Sequence, residues 1–199
     1  MSRLNIISKI SSATVFILAL YMTAPAGAAQ DRTPSPNAEI RLDTPSGLPV
    51  PRLVSLKAQK TFCRSGPSFA HPVRLTFMRQ GLPVLIVAET KDYWRKIRDL
   101  EGDECWTHKS KLSGIETALV LEDGLALRAR PDASAPARAR LGRGVITKVE
   151  DERDGWLRVT ANGRKGWARA SAFWGSRAHM PLGSRYSSTE ALNIAATHN

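Results

Sequence analysis

The feature that most constrains this chain is an internal repeat of about 60 residues. Residues 63–67 (CRSGP) align with residues 127–131 (LRARP), 64 positions later in the chain. Farther on, Gly81 aligns with Gly144 at a spacing of 63, and Trp94 aligns with Trp156 at 62. A spacing that shortens by single residues is what short deletions in loops produce. Landmarks that recur in the same order indicate one structural unit that is built twice.

Each copy of the repeat predicts short strands. Both copies carry a run rich in β-branched residues, then a segment that begins with tryptophan, then a turn and a second tryptophan segment. In chain order these are 82–88 (LPVLIVA), 94–98 (WRKIR), 99–103 (DLEGD) and 105–107 (CWT), and in the second copy 145–149 (VITKV), 156–159 (WLRV), 161–164 (ANGR) and 166–168 (GWA). Asn-Gly in the second copy is the stronger hairpin signal. Because open sheet edges pair with neighbouring molecules, such strands favour a closed barrel. The predicted fold is all-β, with small barrels at residues 52–115 and 116–174.

The N-terminus predicts a signal peptide over residues 1–28. Two basic residues are the only charges before Asp31, and a mainly apolar stretch of 15 residues covers 10–24. The small-x-small motif at 26–28 (AGA) then follows as a cleavage site. Fifteen helical residues, at about 1.5 Å each, are shorter than a bilayer core of about 30 Å, so an uncleaved anchor is the less favoured alternative. We expect a periplasmic or secreted protein. It would contact the membrane through its signal peptide only if that peptide were not cleaved.

Two further segments lack a folding pattern. Residues 30–51 contain five prolines and little apolar periodicity, so we predict a disordered, proline-rich tether at 29–51. Residues 175–199 have no strand pattern and are predicted to be a mostly disordered tail.

The chain is strongly basic, which limits the classes of partner that it is expected to bind. It has 29 Lys and Arg residues against 18 Asp and Glu residues, a formal charge of +11, and +9 remains without Arg3 and Lys9 of the predicted signal. Basic proteins favour anionic partners. Because export separates the chain from chromosomal DNA and ribosomes, we expect anionic envelope material as the partner and no nucleic acid.

The order of motifs resembles the bacterial SH3-like (SH3b) domain. Each copy has an (L/C)-R-x-x-P turn, a glycine before a β-branched strand, a W-x-x-(I/V) strand and a G-x-x-x-W segment. The resemblance covers about 52–174 and implies two SH3-like barrels in tandem. Barrels of this kind have many roles, so the resemblance says little of the ligand. The matching turns carry Arg64 and Arg128 in place of the tyrosines of the eukaryotic SH3 groove, so recognition of proline-rich peptides is not expected.

The resemblance also implies a disulfide bond. Relatives usually have glycine where this chain has Cys105, and the fold brings the first and late strands of a barrel together. Cys63 and Cys105 would then be linked, and an oxidising compartment would preserve the bond. Two buried free thiols are the alternative.

No motif indicates catalysis, a cofactor or a metal site. Two cysteines and four scattered histidines do not form a metal-ligand pattern. A nucleophilic Cys63 would need His71 or His108 beside it, but the second copy has Leu127 at the position of Cys63, which indicates a core position. We predict that the protein is not an enzyme.

Two residue types are candidates for ligand binding. Trp94 and Trp156 open strands beside variable loops, where the resembling fold has its ligand surface. Aromatic faces rimmed by guanidinium groups bind peptides or glycans, and Arg is favoured where carboxylates or phosphates are held. The candidate guanidinium groups are Arg64, Arg128, Arg130, Arg138 and Arg140. The alternatives are tryptophans that only pack the barrels and a solvated basic face.

These observations predict a non-catalytic binding or scaffolding module of the periplasm or cell envelope. We expect it to recognise peptidoglycan, as a cell-wall peptide or glycan, or other anionic envelope material. The alternative is a periplasmic adaptor for a protein partner, with no affinity for glycans.

Overall fold

The structure is a computed structural model that describes residues 40–177 and 180. Strands dominate this part of the chain, and they belong to two sheets. The first sheet contains β1 (Arg52–Leu56), β2 (Thr61–Arg64), β3 (Val73–Phe77), β4 (Pro83–Glu89), β5 (Trp94–Arg98), β6 (Glu104–His108) and β7 (Leu112–Ser113). The second contains β8 (Thr117–Val120), β9 (Leu125–Arg128), β10 (Ala137–Leu141), β11 (Ile146–Arg153), β12 (Trp156–Ala161), β13 (Arg164–Arg169) and β14 (Phe173–Trp174). Short 3₁₀ helices at Lys109–Lys111 and Ala170–Ala172 precede the last strand of each sheet. We call the two folded units barrel 1 and barrel 2.

Both barrels have the same topology. The strand order is β3-β2-β6-β5-β4-β1-β7 in barrel 1 and β10-β9-β13-β12-β11-β8-β14 in barrel 2, so every strand has its counterpart seven strands later. The strands pair in antiparallel fashion. The prediction of an all-β chain with two repeated barrels is therefore confirmed.

Turn and strand chemistry explain why the second copy forms its central hairpin. Asn162 and Gly163 have φ angles of 48° and 73°, as an Asn-Gly turn with positive φ requires. Leu157, Val159 and Ala161 alternate along β12, and all three are buried in the core of barrel 2. This period of two directs one face of the strand inward.

The predicted disulfide between Cys63 and Cys105 is confirmed. Their Cα atoms are 5.5 Å apart, and the bond joins β2 to the neighbouring strand β6 in the core of barrel 1. Barrel 2 has Leu127 and Gly166 at the corresponding positions, and a Cβ atom at Gly166 would lie only 2.8 Å from the Leu127 Cβ atom. In barrel 2, close packing of Leu127 on Gly166 therefore replaces the disulfide bond of barrel 1.

We expect Gly166→Ala to lower the free energy of unfolding of the protein by about 1–3 kcal/mol, as overpacking of a core typically does. The added methyl group would lie 2.9 Å from the Arg128 carbonyl oxygen as well, so β9 would have to move. Urea denaturation measures the change. Gly114→Ala is the control, because a Cβ atom there meets nothing within 4 Å. Equal stability of the two variants would contradict this account.

Residues 49–51 are buried, with Val50 in the core of barrel 1, which corrects the prediction that the disordered tether extends to residue 51. Arg41 and Val50 form a β-bridge, and Val50 belongs to the core of barrel 1 with 3% of its surface exposed. Full burial of a valine contributes about 1.5–3 kcal/mol, which helps to offset the entropy lost on ordering. The core partners of Val50, such as Val84 and Ile97, are distant in the sequence, so local composition did not reveal this packing. The predicted signal peptide and residues 29–39 lie outside the described residues.

The start of the predicted tail is also packed. Ser176 and Met180 are buried, and the Ser176 hydroxyl donates a hydrogen bond to the Ala170 carbonyl oxygen at 3.1 Å. The disorder predicted for residues 175–199 therefore does not apply to these positions. Residues 178–179 and 181–199 lie outside the described part of the chain.

The two barrels touch directly. The Thr117 hydroxyl donates a hydrogen bond to the Gly81 carbonyl oxygen at 2.7 Å, and Arg79 Nη2 donates to the Gly144 carbonyl oxygen at 2.6 Å. Gly175 has a φ angle of 90°, and a Cβ atom there would lie 2.7 Å from Pro83 Cβ. This contact between the barrels has room only for glycine.

Candidate functional site

Four aromatic side chains gather at the open end of the β5–β6 hairpin in barrel 1. We call Phe69, Tyr93, Trp94 and His108 the aromatic cluster. Trp94 opens β5 and His108 ends β6, and the two residues are paired in register. Their ring centroids are 5.8 Å apart at an interplanar angle of 78°, the edge-to-face arrangement that aromatic rings prefer. The hairpin therefore forms the base of the cluster.

Phe69 comes from the loop between β2 and β3 and is 71% exposed. Its ring centroid lies 4.9 Å from that of Trp94. The loop is braced, because Arg64 Nη1 donates a hydrogen bond to the His71 carbonyl oxygen at 2.7 Å. His71 Nδ1 and the Ser68 hydroxyl share another at 2.8 Å. A large apolar side chain is thus held at the surface by its own loop.

Tyr93 is 52% exposed and lies beside His108 with the ring centroids 6.4 Å apart. Lys109 Nζ lies 3.7 Å from the centre of the Tyr93 ring, and the Arg64 guanidinium carbon lies 5.8 Å from that of Phe69. Cations at such distances are attracted by aromatic faces. The two exposed rings of the cluster therefore each have a cation beside them.

A buried ion-pair network lies directly behind the cluster. The Glu89 side chain is 0% exposed and forms ion pairs with Arg52 and Arg95, at 2.9 Å for Arg95 Nε. It also accepts a hydrogen bond from the Ser46 backbone N–H at 3.1 Å. Burial raises the pKa of Glu89, but the Ser46 hydrogen bond and the two arginines outweigh it and hold that pKa below its usual range. Arg95 Nη1 donates to the Trp94 carbonyl oxygen at 3.1 Å, so the network helps to position the base of the cluster.

The structure brings only some of the sequence-predicted ligand residues together. Trp94 and Arg64 both lie beside Phe69 in barrel 1, but Trp94 is 5% exposed and underlies Phe69, so it offers little surface itself. In barrel 2, Trp156 and Arg128 line one cavity of about 340 Å³. Arg130, Arg138 and Arg140 are exposed and line no part of that cavity.

Sequence reasoning missed the residues that actually present aromatic surface. Phe69 lies in a loop without strand periodicity, and Tyr93 has a positive φ angle of 65° in the turn before Trp94. One local clue was available for each. Phe69 closely follows the R-x-x-P turn at Pro67, and Tyr93 is the direct neighbour of a predicted ligand residue.

Within residues 40–177 and 180, no group of three or more His, Cys, Asp or Glu side chains could hold a metal ion. None of the helices in this part of the chain has the length and apolar character needed to cross a membrane.

Comparison with known proteins identifies both barrels. The family model for the bacterial SH3 domain matches residues 57–114 and 122–175, together more than half of the chain. No curated protein matches the chain. Among solved structures, NlpC2 from Trichomonas vaginalis is similar at 13% identity and a TM-score of 0.30, over 64% of this chain and 49% of that one. NlpC1 from the same organism is similar at 14% identity and a TM-score of 0.28, over 62% of this chain and 45% of that one. The chain thus spans about half the length of these structures.

Because the family match falls on both barrels, the chain belongs to the bacterial SH3 domain family and carries two such domains in tandem.

Proposed function

We propose that this protein is a non-catalytic binding module of the cell envelope, and that barrel 1 binds cell-wall peptides or glycans through the aromatic cluster. The observation that carries this proposal is the exposure of Phe69 and Tyr93 at 71% and 52%, side by side with Arg64 and Lys109. Binding of cell-wall material is common among bacterial SH3 domains and supports the same class of partner.

Physical chemistry connects this surface to such a ligand. Exposed apolar side chains that gather in one place are typical of interaction sites, because water solvates them poorly. Sugar rings and peptide groups stack on aromatic faces, and the cations of Arg64 and Lys109 attract carboxylates. The barrel holds its rings and cations in place before a ligand arrives, which lowers the entropy lost on binding.

One feature, the disulfide bond of barrel 1, supports both an envelope location and the absence of catalysis. The Cys63–Cys105 disulfide favours an oxidising compartment, in agreement with the signal peptide predicted from the sequence. The same bond leaves Cys63 without the thiolate that a cysteine nucleophile needs.

We expect the double variant Phe69→Ala with Tyr93→Ala to bind purified peptidoglycan sacculi about 30-fold more weakly than the unaltered protein. Two lost aromatic contacts of about 1 kcal/mol each correspond to this factor. Co-sedimentation with protein-free sacculi at near-physiological salt measures it.

Phe62→Ala is the matched control for this experiment. Phe62 is also an exposed phenylalanine, at 47%, and Lys60 Nζ lies 4.9 Å from its ring centre, but it is not part of the aromatic cluster. Equal binding by the double variant and the unaltered protein would overturn the assignment of the site.

A periplasmic protein adaptor is the second candidate function. Phe62, Val73 and Met78 are exposed in or beside β2 and β3, and β3 is a terminal strand of its sheet. Terminal strands can pair with an extended segment of another protein. If the unaltered protein does not sediment with sacculi, the proposal of wall binding is wrong and the adaptor function takes its place.

A further inference from the structure

The cavity of barrel 2 occupies the position at which barrel 1 has its aromatic cluster. Trp156 opens β12 as Trp94 opens β5, and the repeat aligns Ala133 with Phe69. Phe69 packs against its tryptophan, whereas Ala133 has only a methyl group and lines a cavity of about 340 Å³ beside Trp156. The second copy of the repeat thus leaves open a space that the first copy fills.

Two guanidinium groups line this cavity. Arg169 takes the position of His108, and its guanidinium carbon lies 4.3 Å from the centre of the Trp156 ring. Arg128 is held from behind, because its Nη1 donates a hydrogen bond to the Ala135 carbonyl oxygen at 2.6 Å. Planar guanidinium groups with further free N–H donors suit a carboxylate. The apolar part of the lining is contributed by Leu125, Ala126, Ala133, Trp156, Ala168 and Ala172.

Two carboxylates line the same cavity. Glu122 and Asp123 lie just before β9, and Asp123 Oδ1 accepts a long hydrogen bond of 3.4 Å from the Arg143 backbone N–H. Among the residues that the structure describes, no ion pair within 4 Å involves Glu122, Asp123, Arg128 or Arg169, although Arg128 also attracts the nearby Asp132 carboxylate. Both signs of charge are therefore available to a ligand at one place.

We propose that this cavity binds a free amino acid, which carries an α-ammonium group and an α-carboxylate group beside an apolar side chain. The carboxylate contacts Arg128 and Arg169, and the ammonium group contacts Glu122 and Asp123. Trp156 is 6% exposed and Arg169 lies over its ring, so the apolar side chain packs on Ala126 and Ala133, and the Trp156 indole lies beside it. A simple anion fits less well, because the two acidic side chains repel it. The cavity volume is at the lower end of the range of volumes for small-molecule sites, and this size fits a single amino acid.

NMR titration of the ¹⁵N-labelled, oxidised protein tests this proposal with three probes. Leucine has both charges, N-acetyl-leucine has only the carboxylate, and leucine amide has only the ammonium group. The indole N–H signal of Trp156, assigned with Trp156→Phe, reports binding. We expect leucine to shift this signal to saturation, and each blocked compound to bind at least about tenfold more weakly. A single lost charge-assisted hydrogen bond, at about 1.5–3 kcal/mol, accounts for that factor.

Two variants locate the site. Ala133→Phe introduces the residue that barrel 1 has at this position and should abolish the leucine-induced shift, while the remaining signals report whether the fold persists. Glu122→Gln removes one exposed carboxylate and should weaken the binding of leucine but not of N-acetyl-leucine.

Three outcomes would overturn the proposal. Equal affinity for leucine and N-acetyl-leucine would define an anion site, no shift with leucine would exclude the ligand class, and unchanged binding in a folded Ala133→Phe variant would place the ligand elsewhere. Sacculus binding by barrel 1 is a separate measurement, so either proposal can fail without the other.

Discussion

Loss of the Cys63–Cys105 disulfide is expected to lower the free energy of unfolding of barrel 1 by about 4 kcal/mol, according to the chain-entropy model. The bond joins residues 42 positions apart, and without it the unfolded chain gains the freedom of that loop. Both cysteines are buried in the core, so the reduced side chains would still fill their space as small apolar groups. Nearly all of the expected loss therefore arises in the unfolded state.

Hydrogen exchange read by mass spectrometry can test this prediction for each barrel separately. Peptides from barrel 1 should exchange faster in the variant Cys63→Ala with Cys105→Ala than in the oxidised protein. Barrel 2 has Leu127 and Gly166 at the same positions and is the internal control. Reduced wild-type protein separates the loss of the bond from the loss of the sulfur atoms. Unchanged exchange in barrel 1 after reduction would show that the bond does not stabilise it.

We expect Glu89→Gln to lower the free energy of unfolding at neutral pH by about 3–5 kcal/mol, as the loss of one partner from a buried ion pair does. Glutamine has nearly the same shape, so packing is retained. Arg52 and Arg95 would keep their charges, with side chains only 17% and 7% exposed, and would lack the carboxylate that now neutralises them. Urea denaturation of the two proteins gives the difference.

The pH dependence provides a second test at Glu89. Burial raises its pKa, and the Ser46 hydrogen bond and the two arginines lower it further than burial raises it, so the folded-state pKa lies below the unfolded value of about 4.3. The carboxylate therefore stabilises the fold above that pH, and this contribution is lost as the pH falls through the folded-state pKa. We expect the stability difference between wild type and Glu89→Gln to shrink from pH 7 to pH 3.

The control for this experiment is Glu101→Gln. Glu101 is exposed in the turn between β5 and β6, so its replacement removes one carboxylate without affecting the buried network. A gap between wild type and Glu89→Gln that is the same at pH 7 and pH 3 would contradict the proposed role of the ionised carboxylate.

The base of the aromatic cluster could be predicted from the sequence, but its surface could not. Trp94 starts a segment that was correctly assigned to a strand, and the turn after it sets the pairing with β6 and thus with His108. Phe69 reaches the same place from a loop 25 residues earlier in the chain. The loop has no periodic pattern of apolar residues from which its structure could be predicted. Its contact with Trp94 arises only when the tertiary fold of the barrel brings the loop next to β5.

The sequence by itself determined the duplicated all-strand unit and, through its family resemblance, the pairing of Cys63 with Cys105. Alternation and turn residues act between near neighbours, and a repeat displays them twice. Only the tertiary structure decided that Ser46 meets Glu89, 43 residues away, and that a cavity replaces the aromatic cluster in barrel 2. Contacts of this kind depend on the volume and charge of side chains that loops bring together. No periodicity along the chain indicates which side chains these are.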